Sequence, residues 1–383
     1  MALMISLVAL SIDAMLPALA EIGVDLGAGR GNDPQLVISA LFLGLAVGQL
    51  VYGPLSDATG RKPAIYAGIA LFIVGCLMST VATSFPVMLA GRFLQGIGVA
   101  GPRIVTIALV RDRYEGRAMA RIMSLVMAVF IMVPVLAPAI GQGILLIASW
   151  RAIFGVLLGL AVIALVWFGV RQPETLARGR RVPFSPGPIA RAVREVCVNR
   201  IAIGYTVAAG LIFGAFIGYL TSSPQIFQGQ YGLGRLFPVY FAALAVAFGA
   251  ASYLNSRLVM RFGMRPLSRR ALSGLSGLSL GFFAIAYAAA GDPPLWALMA
   301  YFAAAFFCIG ILFGNFNALA MEPLGHIAGV GASVVGSLTT FISLPLGTLI
   351  GLGYDGTVLP LVGGFAILGV ASVAVMHWTE RGR

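Results

Sequence analysis

Apolar residues in this chain come in long uninterrupted runs, broken by short polar stretches. Residues 64–82, 153–170 and 295–312 contain no charged side chain at all. Runs of about 18 or more such residues read as transmembrane helices, because a helix rising 1.5 Å per residue then crosses the hydrocarbon core. Twelve are predicted, near residues 1–20, 35–56, 64–83, 87–109, 119–146, 150–170, 199–222, 235–256, 269–290, 294–318, 330–352 and 357–377. Strands are not predicted: period-two alternation is absent, and lipid leaves unpaired backbone groups without partners. The least apolar stretch, residues 171–200, is rich in Arg, Pro and Gly and falls between the sixth and seventh spans. It reads as a cytoplasmic linker carrying a short amphipathic helix near 189–198. The expected organisation is therefore an all-α polytopic membrane protein of twelve transmembrane helices in two six-helix pseudo-repeats. Its parts are an N-terminal bundle (1–170), a linker (171–198) and a C-terminal bundle (199–383).

Composition agrees with this reading. The 383 residues are 60% hydrophobic and 10% charged, against about a quarter charged in soluble globular domains. The net charge of +12 changes the picture only through its placement. Arg30, Arg151 and Arg235 fall on one side of the predicted membrane, Arg92 and Arg103 fall inside spans, and the rest of the 25 Lys and Arg fall on the other side. By the positive-inside rule that richer side is cytoplasmic, and with it the C-terminus. The basic excess thus reports topology, and no nucleic-acid partner is expected. Three scattered cysteines and two histidines offer no disulfide framework, no metal site and no His-based nucleophile. No enzyme chemistry and no cofactor are expected.

The first run raises a question of its own. "ALAE" at residues 18–21 resembles a leader-peptide cleavage site, but no basic residue precedes the run, and Asp13 and Pro17 interrupt it. It is read as a span. The chain then begins almost inside a helix, as it would if a basic N-terminal tail were missing.

The two halves echo each other. "GRKP" at 60–63 and "GMRP" at 263–266 each follow the second span of their half. Duplicated six-helix halves point to a transporter with its site near the membrane midplane.

Several motifs carry a family resemblance. "GPLSDATGRKP" (53–63) resembles the cytoplasmic loop motif of the major facilitator superfamily, with Gly53, Leu55, Asp57, Gly60, Arg61 and Lys62 matching and Ala58 in place of a basic residue. "GRFLQGIGVAG" (91–101) resembles the fourth-helix motif through Arg92, Gln95 and Gly96. "APAIGQ" (137–142) resembles the end of the antiporter motif in the fifth helix. Pro138 and Gly141 match there, while Ala137 and Gln142 replace glycines. With "VRDRYEG", "SWRAIF" and "NALAMEPLGHIAGVGAS" added, the chain resembles the bicyclomycin/chloramphenicol-resistance branch of drug:proton antiporters from end to end. The resemblance implies a monomeric protein of the bacterial cytoplasmic (inner) membrane that uses the proton gradient and needs no cofactor.

Asp13 is the only acid well inside a predicted span; Glu21 lies at an edge. Such a residue costs roughly 2.5–3.5 kcal/mol at a helix centre and marks an ion pathway or a partner. It lies about 10 Å from the outer end of its span, and Arg92 lies about 9 Å deep in its own, so their depths match. Burial opposes a carboxylate's charge and a nearby guanidinium favours it. Asp13 is therefore the expected proton carrier, with Arg92 modulating it. The alternative is that Asp13 bonds only to Arg92 or to helix backbone and holds two helices together. Arg103, about 16 Å nearer the cytoplasm, would attract an anionic substrate group, pair with Asp13 in another state, or snorkel to the interface. Gln49, Gln95, Tyr219, Gln225, Asn315 and Asn317 are further cleft candidates, although such side chains in helices more often serve packing or interhelical hydrogen bonds. Gly53, Asp57, Gly60, Arg61, Lys62 and Asp112 form the expected conformational-switch loop, in which Arg61 and Asp112 could pair. Pro134, Pro138 and Gly141 would bend the fifth helix or let it pack closely. The expected activity is proton-coupled efflux of small amphipathic drugs by alternating access. Export of one endogenous metabolite, or a receptor or scaffold role without transport, fits the same pattern.

Overall fold

Glycines, prolines and short polar turns cut the apolar runs into separate helices. The computed structural model describes residues 1–29, 31–114 and 116–381. Arg30 and Arg383, counted above toward the charge asymmetry, and Glu115 of "VRDRYEG" lie outside the described residues. No strand occurs among the described residues. The first half contains α1 (Ala2–Asp13), α2 (Leu19–Asp25), α3 (Leu36–Thr59), α4 (Arg61–Thr80), α5 (Phe85–Arg113), α6 (Gly116–Leu145) and α7 (Arg151–Arg171). Then come α8 (Pro186–Val198), α9 (Arg200–Pro224), α10 (Phe237–Phe262), α11 (Met264–Ala288), α12 (Leu295–Met321), α13 (Ala328–Leu352) and α14 (Leu359–Glu380). With α1 and α2 forming one broken span (Ala2–Asp25) and α8 lying between the halves, the helices make the twelve spans of the expected fold, six on either side of α8.

The packing pattern of the first six spans recurs in the last six. In the first half α5 packs on α1, α3 and α4, while α7 packs on α1 and α4. In the second, α12 packs on α9, α10 and α11, while α14 packs on α9 and α11. The turn that opens the third span also recurs. Gly60 has φ 107° and ψ 160°, and Gly263 has φ 78° and ψ 159°, a backbone region that side-chain-bearing residues rarely adopt. This is the physical content of the "GRKP"/"GMRP" echo.

By contacts the chain divides into two units. One comprises Met1–Val193 with Gly329–Ser337, the other Arg194–Ala328 with Leu338–Arg383. In the first unit α5 threads between α3 and α4, and close approach depends on small residues. A β-carbon added to Gly44 would lie 2.0 Å from the Phe93 carbonyl oxygen, and one on Gly96 2.0 Å from that of Leu41. At one end of this unit Asp25 accepts from Trp150 Nε1 (3.0 Å) and Arg151 Nη1 (2.6 Å), and Arg151 Nη2 reaches the Ala82 carbonyl (3.0 Å). The "SWRAIF" stretch thereby ties the start of α7 to the end of α2. In the second unit the core is aromatic, centred on Tyr219 with Phe306, Phe302 and Phe241 at ring-centroid distances of 4.7, 5.3 and 5.8 Å. Large apolar side chains such as Val166, Trp167, Val170 and Ile367 stay exposed on helix faces, which suits lipid rather than water.

Candidate functional site

Pro17 has no N–H to give the carbonyl of Asp13, four residues earlier. α1 accordingly stops at Asp13, and the chain tightens into a 3-10 turn over Leu16–Ala18 before α2 resumes, with Ala18 N donating to the Met15 carbonyl at 2.9 Å. Asp13 is 4% exposed and is the only acid among the buried charged residues described, beside Arg61 and Arg92. Its side chain makes no hydrogen bond or ion pair among the described residues. The site is thus a carboxyl group at the broken end of a helix, enclosed by protein and without a charged partner among the described residues.

α6 closes on this break. A β-carbon on Gly141 would fall 1.7 Å from the carbonyl oxygen of Ala14, so glycine is required where α6 crosses the turn beside Asp13. Pro134 and Pro138 lie inside α6, which runs as one helix through both. The structure therefore relates the fifth-helix motif to the acid: its glycine lets α6 pack against the residue next to Asp13.

Arg92 is fully buried, and it does not reach Asp13. Its Nη2 donates to the Ser11 carbonyl (2.7 Å), Nε to the Val37 carbonyl (3.2 Å) and Nη1 to Gln95 Oε1 (2.5 Å). Its guanidinium carbon lies 5.7 Å from the Phe154 ring centre. Gln95 Nε2 continues the chain to Ser79 Oγ at 3.2 Å. One guanidinium thus joins α1, α3, α5 and α7, and through Gln95 also α4. The Ser11 contact lies in the last turn of α1, where orphan carbonyls and the helix dipole favour a cation. A buried charge with several hydrogen bonds is the arrangement that makes burial tolerable.

The remaining candidates are dispersed. Arg103 is half-buried on α5, and its side chain makes no hydrogen bond or ion pair among the described residues. Gln49 is buried on α3. Asn315 exchanges two 3.0 Å amide hydrogen bonds with Asn255, joining α12 to α10, whereas Asn317 is exposed. Gln225 opens a wide helical turn after α9, where its carbonyl accepts from Tyr354 OH at 3.4 Å. Tyr219 lies inside the aromatic core.

The loop after α3 forms a dense network. Arg61 Nε donates to Asp112 Oδ2 (2.8 Å), and Nη1 donates to Asp57 Oδ1 (2.5 Å) and Ser56 Oγ (2.8 Å). Gly53 lies one turn before, its carbonyl accepting from Ser56 Oγ at 2.8 Å. Lys62 Nζ donates to the Gly169 carbonyl at the end of α7 (2.8 Å). At the centre is Glu174, which sequence reasoning did not single out. It accepts from the backbone N–H of Arg61 and Lys62 (3.0 Å each), at the start of α4, and from those of Thr175 and Leu176 (2.9 Å each). Partial burial disfavours its charge, yet the donors at Leu176, Lys62, Arg61 and Thr175 prevail and hold its carboxyl below the usual range. Gly60 is needed for space as well as for its backbone: a β-carbon there would meet Glu174 Oε2 at 2.6 Å. The only local signal was an acid just past the end of a span, in "RQPET". The second half repeats the theme, with Arg265 Nη2 on Glu322 (2.5 Å) and Arg265 Nε on Glu380 (3.2 Å).

These features define a multi-pass membrane protein of two six-helix repeats, with an enclosed acid and a charged loop network. The chain belongs to the Major Facilitator Superfamily, whose family model matches residues 1–348. It is 32% identical over 359 residues to a bicyclomycin resistance protein homolog of Haemophilus influenzae, covering 92% of this chain and 87% of that one. It is 28% identical over 328 residues to the multidrug resistance protein MdtL of Escherichia fergusonii, covering 85% and 80%. Among solved structures it resembles a D-xylose-proton symporter (TM-score 0.76, 14% identity, 98% and 95% covered) and the xylose transporter XylE from E. coli in a partially occluded, inward-open conformation (TM-score 0.73, 14% identity, the same coverage). At that identity the likeness is one of fold.

Proposed function

We propose that this protein exports small amphipathic compounds, antibiotics among them, across a bacterial cytoplasmic membrane in exchange for protons, by alternating access. The observation that carries the proposal is Asp13, a carboxyl group enclosed at a helix break with no ion pair among the described residues. An unpaired acid that meets the two aqueous sides in turn can take up a proton from one and release it to the other. Arg92, anchored to Ser11 just before the break, fixes the end of α1 and so the position of that carboxyl. The names of the bicyclomycin- and multidrug-resistance relatives support drugs as the substrate class. The proton gradient supplies the energy, no cofactor takes part, the working unit is one chain, and the C-terminus is cytoplasmic.

The test is substrate-driven proton movement in proteoliposomes, with wild type compared with Asp13→Asn over a panel of amphipathic antibiotics. Wild type is expected to couple at least one compound to proton flux, and the variant to bind that compound without moving protons. Equal flux in the two would remove Asp13 from the coupling step. Binding without flux of any compound in wild type would leave a receptor, not a carrier.

A further inference from the structure

The second unit contains a cavity of about 710 Å³ between the start of α11 and the end of α14. Its polar lining includes Arg265, Arg269, Arg270, Arg381, His377 and Glu380. Among the described residues, of these arginines only Arg265 has its charge answered, by Glu322 and Glu380. The Arg269 and Arg381 side chains make no hydrogen bond or ion pair among the described residues, and the Arg270 guanidinium meets only the Phe262 ring, 5.8 Å from its centre. The cavity is therefore strongly positive. The N-terminus of α11 adds to this, since its dipole also favours an anion there.

The repeat shows what is missing. In the first half the equivalent helix start, at α4, has the Glu174 carboxylate on the N–H groups of Arg61 and Lys62. At α11 no carboxylate of the described residues sits on the N–H groups of Met264 and Arg265. The cavity occupies the corresponding place, against the same pair of neighbours (α4 and α7, α11 and α14).

We propose that this cavity binds the phosphate of an anionic phospholipid from the surrounding leaflet. A phosphate group supplies the missing acceptor and matches guanidinium forks. The lipid source is favoured by what adjoins the arginines. On the same face of α11, about two to four turns further on, Gly277, Leu280, Gly281 and Ala284 are all exposed, and Val370 and Ala374 are exposed on α14. Added β-carbons at Gly277 and Gly281 would meet nothing within 4 Å. This leaves a shallow apolar track for acyl chains beside the headgroup site. Basic pockets between helices at the basic side of a membrane protein are suited to such headgroups.

The experiment uses the full chain, delipidated in neutral detergent and offered equal amounts of phosphatidylglycerol and phosphatidylcholine, with retained lipid read by native mass spectrometry. Wild type should retain phosphatidylglycerol selectively. Arg269→Gln, Arg270→Gln and Arg381→Gln should each weaken retention by roughly five-fold, the worth of one basic residue near an anionic leaflet, and the corresponding lysine variants should keep most of it. These side chains are exposed and unpaired with acids, so the single variants are expected to melt with wild type. Equal retention of the two lipids, or retention unchanged in all three glutamine variants, would overturn the proposal. So would displacement of the lipid by millimolar inorganic phosphate, which would reassign the cavity to the free anion.

Discussion

Arg92 and Asp13 are buried in the same unit, and their surroundings differ in kind. The guanidinium is met by two carbonyls, an amide oxygen and an aromatic face; the carboxyl is met by none of these. Removing a buried charge that holds such a network leaves its acceptors unsatisfied, which costs on the order of 3 kcal/mol. Arg92→Ala should therefore lower the melting temperature in detergent sharply. Arg92→Lys should recover part of it, since an ammonium cannot reach three separated acceptors in a planar fork. Asp13→Asn, which breaks no partnership, should stay within about 1 kcal/mol of wild type. If Arg92→Ala melted with wild type, the guanidinium would not be the anchor described here. The matched depths of the two residues were legible in the sequence, as was the oddity of a charge in each span. The absence of a bond between them was not, because it depends on Ser11, Val37 and Gln95 reaching Arg92 first.

At the scale of elements, a helix start is held by an acid distant in sequence. Glu174 follows α7, yet it serves the first N–H groups of α4. Its carboxyl is held low in the folded protein, so the sign is fixed: its contribution is present above the usual glutamate range and is lost as the pH falls through the folded value. Glu174→Gln should thus lower the melting temperature at about pH 7, and the gap to wild type should narrow as the medium is taken toward about pH 4 and below. A gap that stayed constant over that range would mean that charge at Glu174 plays no part. Span positions were legible because run length alone fixes them, and Pro17 marked the interruption in the first run. Glu174 was overlooked because a helix N-terminus can take its carboxylate from anywhere in the fold. Gly60 carried half of the signal, as a glycine at a helix start, but the partner that fills the space above it becomes visible only in three dimensions. Gly141 is a similar case: its motif was recognisable, but its contact with the turn beside Asp13 was not.

For the whole molecule, orientation is the property on which the proposed direction of transport depends, and it rests on the distribution of Arg and Lys. Cysteine chemistry can test it without engineering. Cys76 is buried and Cys308 is partly covered on α12, while Cys197 is exposed near the end of α8, in the basic segment between the halves. If that segment faces the cytoplasm, a membrane-impermeant maleimide should label the protein in inside-out vesicles and leave it unlabelled in right-side-out vesicles. Cys197→Ser should abolish the signal. Labelling confined to right-side-out vesicles would invert the topology, and with it the side from which Asp13 would take up its proton. The arginine-lined cavity at α11 and α14 would change leaflets in the same step. One labelling result therefore fixes the membrane side of that cavity together with that of Cys197.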